Sequence, residues 1–128
     1  MKSYDTVSVL IPAKAEYVSI ARLTASGIAS RVGFDIDTIE DIKVALSEVL
    51  GKIIEKGTPA DRMNIDFILQ RDGIDVNISI KDNNIPDLFD NEDDKFALDI
   101  IRSLMDDIQI VNQGQVIITM VKKLGKAV

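Results

Sequence analysis

The side chains that could do chemistry in this chain are carboxylates, lysines and hydroxyls, because its 128 residues include neither histidine nor cysteine. The absence of histidine removes the commonest general base and metal ligand, and the absence of cysteine removes thiol nucleophiles and thiolate zinc sites. One candidate pair is Glu48 and Lys52, whose four-residue spacing places both on one face of a helix. Another candidate is Asp82, which follows a predicted strand.

Each candidate also has a purely structural interpretation. Glu48 and Lys52 could form an ordinary exposed helix pair, which contributes little to stability. An acid after a strand, such as Asp82, commonly serves turn geometry. The neighbouring acids Asp93-Asp94 and Asp106-Asp107 are typical of helix ends, where they interact with the helix dipole more often than with a cation. We therefore expect no metal site.

Two amphipathic helices are predicted in the first half of the chain, and the second carries the Glu-Lys pair. Apolar residues recur at three- and four-residue steps over residues 15–32, and Gly33 ends the pattern. Asp37, with Glu40 three residues later, predicts a capping pair that opens the second helix, which ends at residues 56–59. The predicted buried stripe of this helix is Ile39, Ile42, Leu46, Val49, Leu50 and Ile53.

Alternating apolar and polar residues predict five strands. They are residues 6–11, 63–69, 74–80, 108–111 and 116–121. An Arg71-Asp72-Gly73 turn joins the second strand to the third, so these two form a hairpin with one wet face. A polar segment rich in acids, residues 82–94, separates the hairpin from a third helix. Asp93 and Asp94 are placed at the positive end of the dipole of that helix.

The order strand, two helices, two strands, helix, two strands predicts an α+β fold. We expect a two-layer α/β sandwich in which three helices cover one face of a mixed, mostly antiparallel sheet. The chain is 46% hydrophobic and 28% charged, and these values predict one globular domain over residues 1–128.

Charge and hydropathy limit the partners that we expect. A net charge of -6 argues against direct DNA or RNA binding, which depends on clustered lysine and arginine. The first twelve residues lack the basic and apolar segments of a signal peptide, and no apolar run predicts a membrane span. The absence of cysteine is compatible with a reducing compartment. We expect a cytoplasmic protein with neither a nucleic acid nor a membrane as its partner.

Four segments carry a resemblance to a known family: Ile11–Val18, Ala21–Thr24, Ile39–Glu48 and Ser103–Asp107. In these segments the chain resembles the anti-sigma-factor serine kinases, which belong to the GHKL, or histidine-kinase-like, ATPase superfamily. The order of the predicted elements equals that of the family's fold. The resemblance implies a domain that binds ATP and Mg²⁺, phosphorylates an anti-anti-sigma protein, otherwise holds a sigma factor, and usually forms a homodimer.

The resemblance also assigns a role to Glu48, and the next motif position departs from the family. Glu48 matches the glutamate that orients or deprotonates the attacking hydroxyl. The family's metal-ligating asparagine, four residues later, is Lys52 here. An ammonium has no lone pair, so it cannot ligate Mg²⁺. In the fold of the resembled family, position 52 faces the same pocket as Glu48 and Asp82. The ammonium of Lys52 could therefore neutralise the charges of these two carboxylates.

The other two motifs depart further. Asp82 matches the acid that receives the adenine amino group, but the glycines of that Asp-x-Gly-x-Gly motif are missing from residues 82–86. The family's glycine-rich lid is replaced by Lys95, Phe96 and Ala97, and the acids before them would repel a triphosphate. We therefore expect no cofactor, although the resembled family uses ATP and Mg²⁺.

Arg22 is the remaining candidate. The resemblance places it on the surface of the first helix that meets a sigma factor or an anti-anti-sigma protein, and arginine is favoured in such contacts. The alternative is a solvated charge on the helix face.

Three functional hypotheses follow. The first is an anti-sigma-factor-like, protein-binding regulator of transcription that has lost ATP binding and kinase activity. The second is an active serine/threonine protein kinase with divergent motifs, and the third is a regulatory subunit that pairs with an active relative. Lys52 separates the first two, because a kinase needs a metal ligand or another means of neutralising phosphate charge at that position.

Overall fold

The computed structural model describes residues 4–58, 61–81, 87–112 and 114–125. The strands are β1 (Thr6–Pro12), β2 (Arg62–Gln70), β3 (Gly73–Ile80), β4 (Asp107–Asn112) and β5 (Val116–Lys123). The helices are α1 (Val18–Val32), α2 (Ile36–Lys56) and α3 (Glu92–Leu104), and a 3₁₀ turn, Ala15–Tyr17, precedes α1. The order of these elements matches the order predicted from the sequence.

The five strands form one sheet in the order β1-β2-β3-β5-β4. All four strand pairings in the described residues are antiparallel. The hairpin is closed by the two turn residues 71–72, and Gly73 is already the first residue of β3, where it pairs with Gln70. A side chain at Gly73 would collide with the backbone of β5, because a Cβ there would overlap the carbonyl oxygen of Lys122. The predicted α+β fold is confirmed.

The hydrophobic core lies between the helices and one face of the sheet. The whole predicted stripe of α2, from Ile39 to Ile53, is buried in it. In β2 and β3 every second residue is buried: Met63, Ile65 and Phe67 in β2, and Ile74, Val76, Ile78 and Ile80 in β3. The intervening side chains lie on the opposite face, which we call the helix-free face; they are half-buried at most and mainly polar. This division explains the clean alternation in the sequence.

The start of α2 differs from the prediction. Its N-cap is Asp35, whose side chain accepts a hydrogen bond from the backbone N–H of Thr38 at 2.8 Å. Asp37 is the second residue of the helix and not its N-cap, so the predicted Asp37–Glu40 capping pair is wrong. Phe34 and Ile39 flank the cap at positions that commonly pack together, and both are buried. Burial of these two apolar residues fixes where the chain enters the helix, and Asp35 is then the acid within reach of the free N–H groups.

The described helices include none that is long and apolar enough to cross a lipid bilayer.

Candidate functional site

The second half of α2 carries Glu48, Lys52, Glu55 and Lys56, which lie outside its buried stripe. Glu48 is half-buried, and the side chain of Lys52 is only 12% exposed. The N-terminal end of α3 packs beside these turns and brings Asp94 to them. This junction between α2 and α3 is the candidate site, and we call it the α2–α3 junction.

Lys52 is held by two carboxylates. Its Nζ lies 2.8 Å from Oε2 of Glu55, one helical turn further along α2, and 2.9 Å from Oδ1 of Asp94 on α3. Among the described residues Lys52 therefore pairs with these acids and not with Glu48. Lys52 neutralises nearby carboxylates, as predicted, but its partner on α2 is Glu55 and not the predicted Glu48. The other predicted partner, Asp82, lies outside the described residues. The alternative of an exposed Glu48–Lys52 pair is wrong as well.

Asp94 is a fully buried charged residue. Its Oδ2 accepts hydrogen bonds from Nζ of Lys56 at 2.5 Å and from the backbone N–H groups of Asp90 and Asn91 at 3.1 and 3.2 Å. Its backbone N–H in turn donates to the side chain of Asn91 at 2.8 Å, which completes a reciprocal capping box. Asp94 thus caps its own helix and also binds both lysines of α2.

These contacts keep Asp94 and Lys52 ionised. Burial of Asp94 favours its neutral form, but the hydrogen bonds from Lys56, Lys52 and the two backbone N–H groups outweigh that effect and hold its pKa well below the usual range. Hydrogen bonds to Glu55 and then to Asp94 raise the pKa of Lys52. The junction is therefore a closed ionic cluster in which each buried charge has a partner.

The junction does not fit the ATP and Mg²⁺ that the resemblance implies. Lys52 has no lone pair for a metal, and its charge is already matched by Glu55 and Asp94. Residues 95–97, at the predicted lid positions, lie within the first turns of α3 and not in a loop. In the described part of the chain, no three acids come together as a metal-binding group.

Arg22 joins α1 to α2. Its Nη1 donates a hydrogen bond to Oγ of Ser47 at 2.6 Å, and that hydroxyl donates to the carbonyl oxygen of Lys43 at 2.9 Å. Arg22 is half-buried in this position. Hydrophobic side chains near it on α1 are well exposed, namely Ile20 at 45% and Leu23 at 72%. The part of α1 around Arg22 therefore combines a fixed guanidinium with apolar surface, a combination found in protein interfaces.

Sequence reasoning missed Asp94 and Lys56 as members of the site. Two signals could have indicated them. Asn91 and Asp94 have the three-residue spacing of a capping box, and Lys52 and Lys56 have the four-residue spacing that places two cations on one helix face. Neither signal says that the two groups meet, because 37 residues and the whole hairpin separate Lys56 from Asp94 in the chain.

A groove of about 590 Å³ lies elsewhere, on the helix-free face of the sheet. Its lining includes Leu10, Asn64 and Ser79, which are register neighbours on β1, β2 and β3, together with Asp61, Arg62 and Lys81. Leu10 is 57% exposed. This groove shares no residue with the α2–α3 junction.

Comparison with known proteins gives a consistent result. The family model described as histidine kinase-like ATPase domain matches residues 11–122. The chain is 35% identical to a protein named serine-protein kinase RsbW from Oceanobacillus iheyensis, in an alignment that covers 98% of this chain and 91% of the relative. It is 34% identical to a Bacillus cereus protein of the same name, with 98% and 89% covered. The Oceanobacillus alignment spans 144 residues, so the relative has residues that lack a counterpart in this chain.

The fold also matches a solved structure. The crystal structure of the RsbU and RsbW domains of a Mycobacterium tuberculosis protein superimposes with a TM-score of 0.75 at 16% sequence identity. The match covers 96% of this chain and 33% of that longer chain. At this identity the likeness concerns the fold alone.

Proposed function

Because the chain belongs to the histidine kinase-like ATPase family, and within it to the anti-sigma-factor serine kinases, we propose that it regulates transcription by binding protein partners without binding ATP or phosphorylating them. Its partners would be a sigma factor or an anti-anti-sigma protein. The protein would act in the cytoplasm as one domain of residues 1–128.

The observation that carries this proposal is the ion pairing of Lys52. Where the resembled family has a metal-ligating asparagine, this chain has an ammonium bound to a buried carboxylate 2.9 Å away. Mg²⁺ would need a ligand atom with a lone pair at position 52, and the ammonium of Lys52 has none. The nearby carboxylates of Asp94 and Glu55 would repel the phosphates of a nucleotide. Glu48 would then be a relic of the catalytic residue, and Asp82 a relic of the adenine-binding residue.

An active kinase is the second candidate, because the similar proteins in Oceanobacillus and Bacillus are named serine-protein kinases and Glu48 is retained. In that case Glu48 would orient or deprotonate a serine hydroxyl. The phosphate charge would have to be neutralised by Lys52 after it had left Asp94.

Calorimetry with ATP and Mg²⁺ separates these two functions. We expect no saturable heat at millimolar nucleotide, whereas a kinase would bind with a Kd of micromolar order, about −8 kcal/mol. The Oceanobacillus relative, measured under the same conditions, is the positive control. Lys52→Asn restores one ligand only and should not recover binding. Micromolar ATP binding by the unchanged chain, or phosphate transfer to a serine of an anti-anti-sigma protein, would establish the kinase.

Partner binding is tested at Arg22. The probes are a sigma factor and an anti-anti-sigma protein from the same organism, each measured for its Kd. We expect Arg22→Ala to weaken one of them at least tenfold, since arginines at interface centres often contribute more than 1.4 kcal/mol. Ser47→Ala is the matched control, because it removes the hydrogen bond to Arg22 but keeps the guanidinium. Equal effects of the two variants would mean that Arg22 acts only by joining α1 to α2.

We propose in addition that the protein is a homodimer, as the resembled family usually is. Exposed apolar residues on the helix-free face, Leu10 and Val111 among them, support a sheet-mediated contact. Light scattering should give about twice the 14.1 kDa mass of one chain. A monomer at high protein concentration would contradict this part of the proposal.

A further inference from the structure

The groove on the helix-free face brings two cations together at the open end of the β2–β3 hairpin. Asn64 of β2 pairs with Ser79 of β3, so Arg62 and Lys81 take the next position on the same face of these two strands. Both residues line the groove, and both are exposed. Like charges at opposite positions of paired strands are destabilising. An anion bound between them would remove this repulsion.

The charge of this cation pair is not balanced within the groove. Neither Arg62 nor Lys81 has an ion-pair partner among residues 4–58, 61–81, 87–112 and 114–125, although four other lysines in those ranges form ion pairs. Asp61 also lines the groove, so the described lining, with two cations and one acid, carries a net charge of +1. The chain as a whole carries -6. The groove is therefore a place where an acidic protein attracts one negative charge.

The size and the remaining lining of the groove suit a small organic molecule. Its volume of about 590 Å³ lies within the range of ligand pockets, roughly 300–1,000 Å³. Leu10, which pairs with Asn64 and is 57% exposed, provides an apolar wall, and Ser79 provides a hydroxyl. A guanidinium binds a carboxylate through two parallel hydrogen bonds. One carboxylate matches a charge of +1, whereas a phosphate monoester carries about -1.5 to -2 at pH 7.

We propose that this groove binds a small organic acid, whose carboxylate lies between Arg62 and Lys81 and whose short hydrocarbon chain packs against Leu10. The acid supplies the counter-charge that the two cations lack among the described residues, so its binding also stabilises the fold. Leu10 supports the proposed homodimer contact as well, and the acid would compete with a dimer that uses this residue. This inference goes beyond the proposed function, because it assigns a ligand that is neither a nucleotide nor a protein.

Sodium hexanoate is the probe, because it combines one carboxylate with a short hydrocarbon chain. It is titrated into the isotope-labelled chain, and the backbone amide chemical shifts are followed by NMR. We expect saturable shifts near Leu10, Arg62 and Lys81, with a Kd on the order of 1 mM for a ligand of this size. Acetate lacks the hydrocarbon chain and hexan-1-ol lacks the charge, so each should bind about fivefold more weakly or worse. Sodium chloride at the same ionic strength provides the reference.

Two charge-neutralising variants and a matched control locate the site. Arg62→Gln and Lys81→Gln should each raise the Kd for hexanoate about fivefold or more, because each removes a charged donor. Lys123→Gln removes an exposed lysine of β5 that is paired with Asp72, and it should leave the Kd unchanged. Without hexanoate, Lys81→Gln should not lower the melting midpoint, since it relieves the repulsion between Lys81 and Arg62. A role in stability alone would lower the midpoint and leave hexanoate binding unaltered.

The results have separate meanings for this inference and for the proposed function. Absence of saturable shifts with hexanoate, unchanged binding by Lys81→Gln, or tighter binding of acetate or inorganic phosphate than of hexanoate would overturn the inference. Hexanoate binding that both glutamine variants at positions 62 and 81 weaken, and that Lys123→Gln does not, would support it. Micromolar binding of ATP by the unchanged chain would contradict the proposed function only.

Discussion

Lys52 and Lys43 lie on the same helix and make the same local contact. Each forms an ion pair with a glutamate three positions away, Lys52 with Glu55 at 2.8 Å and Lys43 with Glu40 at 2.9 Å. Their side chains are also similarly covered, with exposures of 12% and 19%. They differ because only Lys52 also contacts the buried Asp94. The comparison therefore isolates the contribution of a contact between two helices.

We expect Lys52→Met to lower the free energy of unfolding by about 1–3 kcal/mol, because it leaves a buried carboxylate with only one of its two ammonium partners. Lys43→Met removes only a partly exposed helix pair and should cost about 0.5 kcal/mol or less. Urea denaturation of the three proteins measures both values. Equal values for the two variants would show that Asp94 does not depend on Lys52.

At the scale of elements, helix ends determine where the side chains of α2 and α3 point. Asp35 caps the start of α2, and the reciprocal pair of Asn91 and Asp94 caps the start of α3. The cap of α3 also makes the contact with α2, so the same carboxylate starts one helix and fixes its position against another. A helix start can thus serve tertiary packing as well as local hydrogen bonding.

The start of α2 can be tested with two neighbouring acids. Asp35→Ala should lower the melting midpoint by about 3–6 °C, because it leaves the N–H of Thr38 without its side-chain acceptor. Asp37→Ala should change it by about 2 °C or less, since Asp37 contributes only through the helix dipole. Calorimetric unfolding of both variants provides the comparison. A larger effect at Asp37 would restore the capping pair predicted from the sequence.

At the scale of the whole molecule, the composition determines how stability varies with pH. With no histidine or cysteine, the chain has no side chain that ordinarily titrates between about pH 6 and 8. The pKa values of Asp94 and Asp35 are both lowered in the folded state, in Asp35 chiefly by its hydrogen bonds with Thr38. Carboxylates with a lowered pKa stabilise the fold above their unfolded pKa, and this stabilisation is lost as the pH falls through the folded value.

We therefore expect the urea midpoint to stay nearly constant from about pH 6 to 9 and to fall below about pH 4. The raised pKa of Lys52 does not alter this range, because its contribution is complete below about pH 10 and is lost only above that. Asp94→Asn should make the fall in the urea midpoint below about pH 4 less steep, whereas Asp93→Asn should leave this fall unchanged. A midpoint that varies between pH 6 and 9 would contradict the expectation.

The sequence by itself determined the elements and their layers. The three- and four-residue spacing from Ile39 to Ile53 and the alternation from Ile74 to Ile80 both reflect burial on one side, so they predicted the elements and the buried faces correctly. The segments shared with the anti-sigma-factor kinases gave the family, which the comparisons confirm. Such signals are local, and each is complete within about twenty residues.

Only the tertiary structure decided the partners of the charged residues. Lys52 has acids within one helical turn on both sides, Glu48 and Glu55, and the sequence offers no reason to choose between them. The choice follows from the packing of α3 beside α2, which buries Asp94 between Lys52 and Lys56. A buried carboxylate requires compensation wherever the fold places it, and the position of α3 depends on the whole core. For this reason spacing along the chain could identify the charges but not the contacts between them.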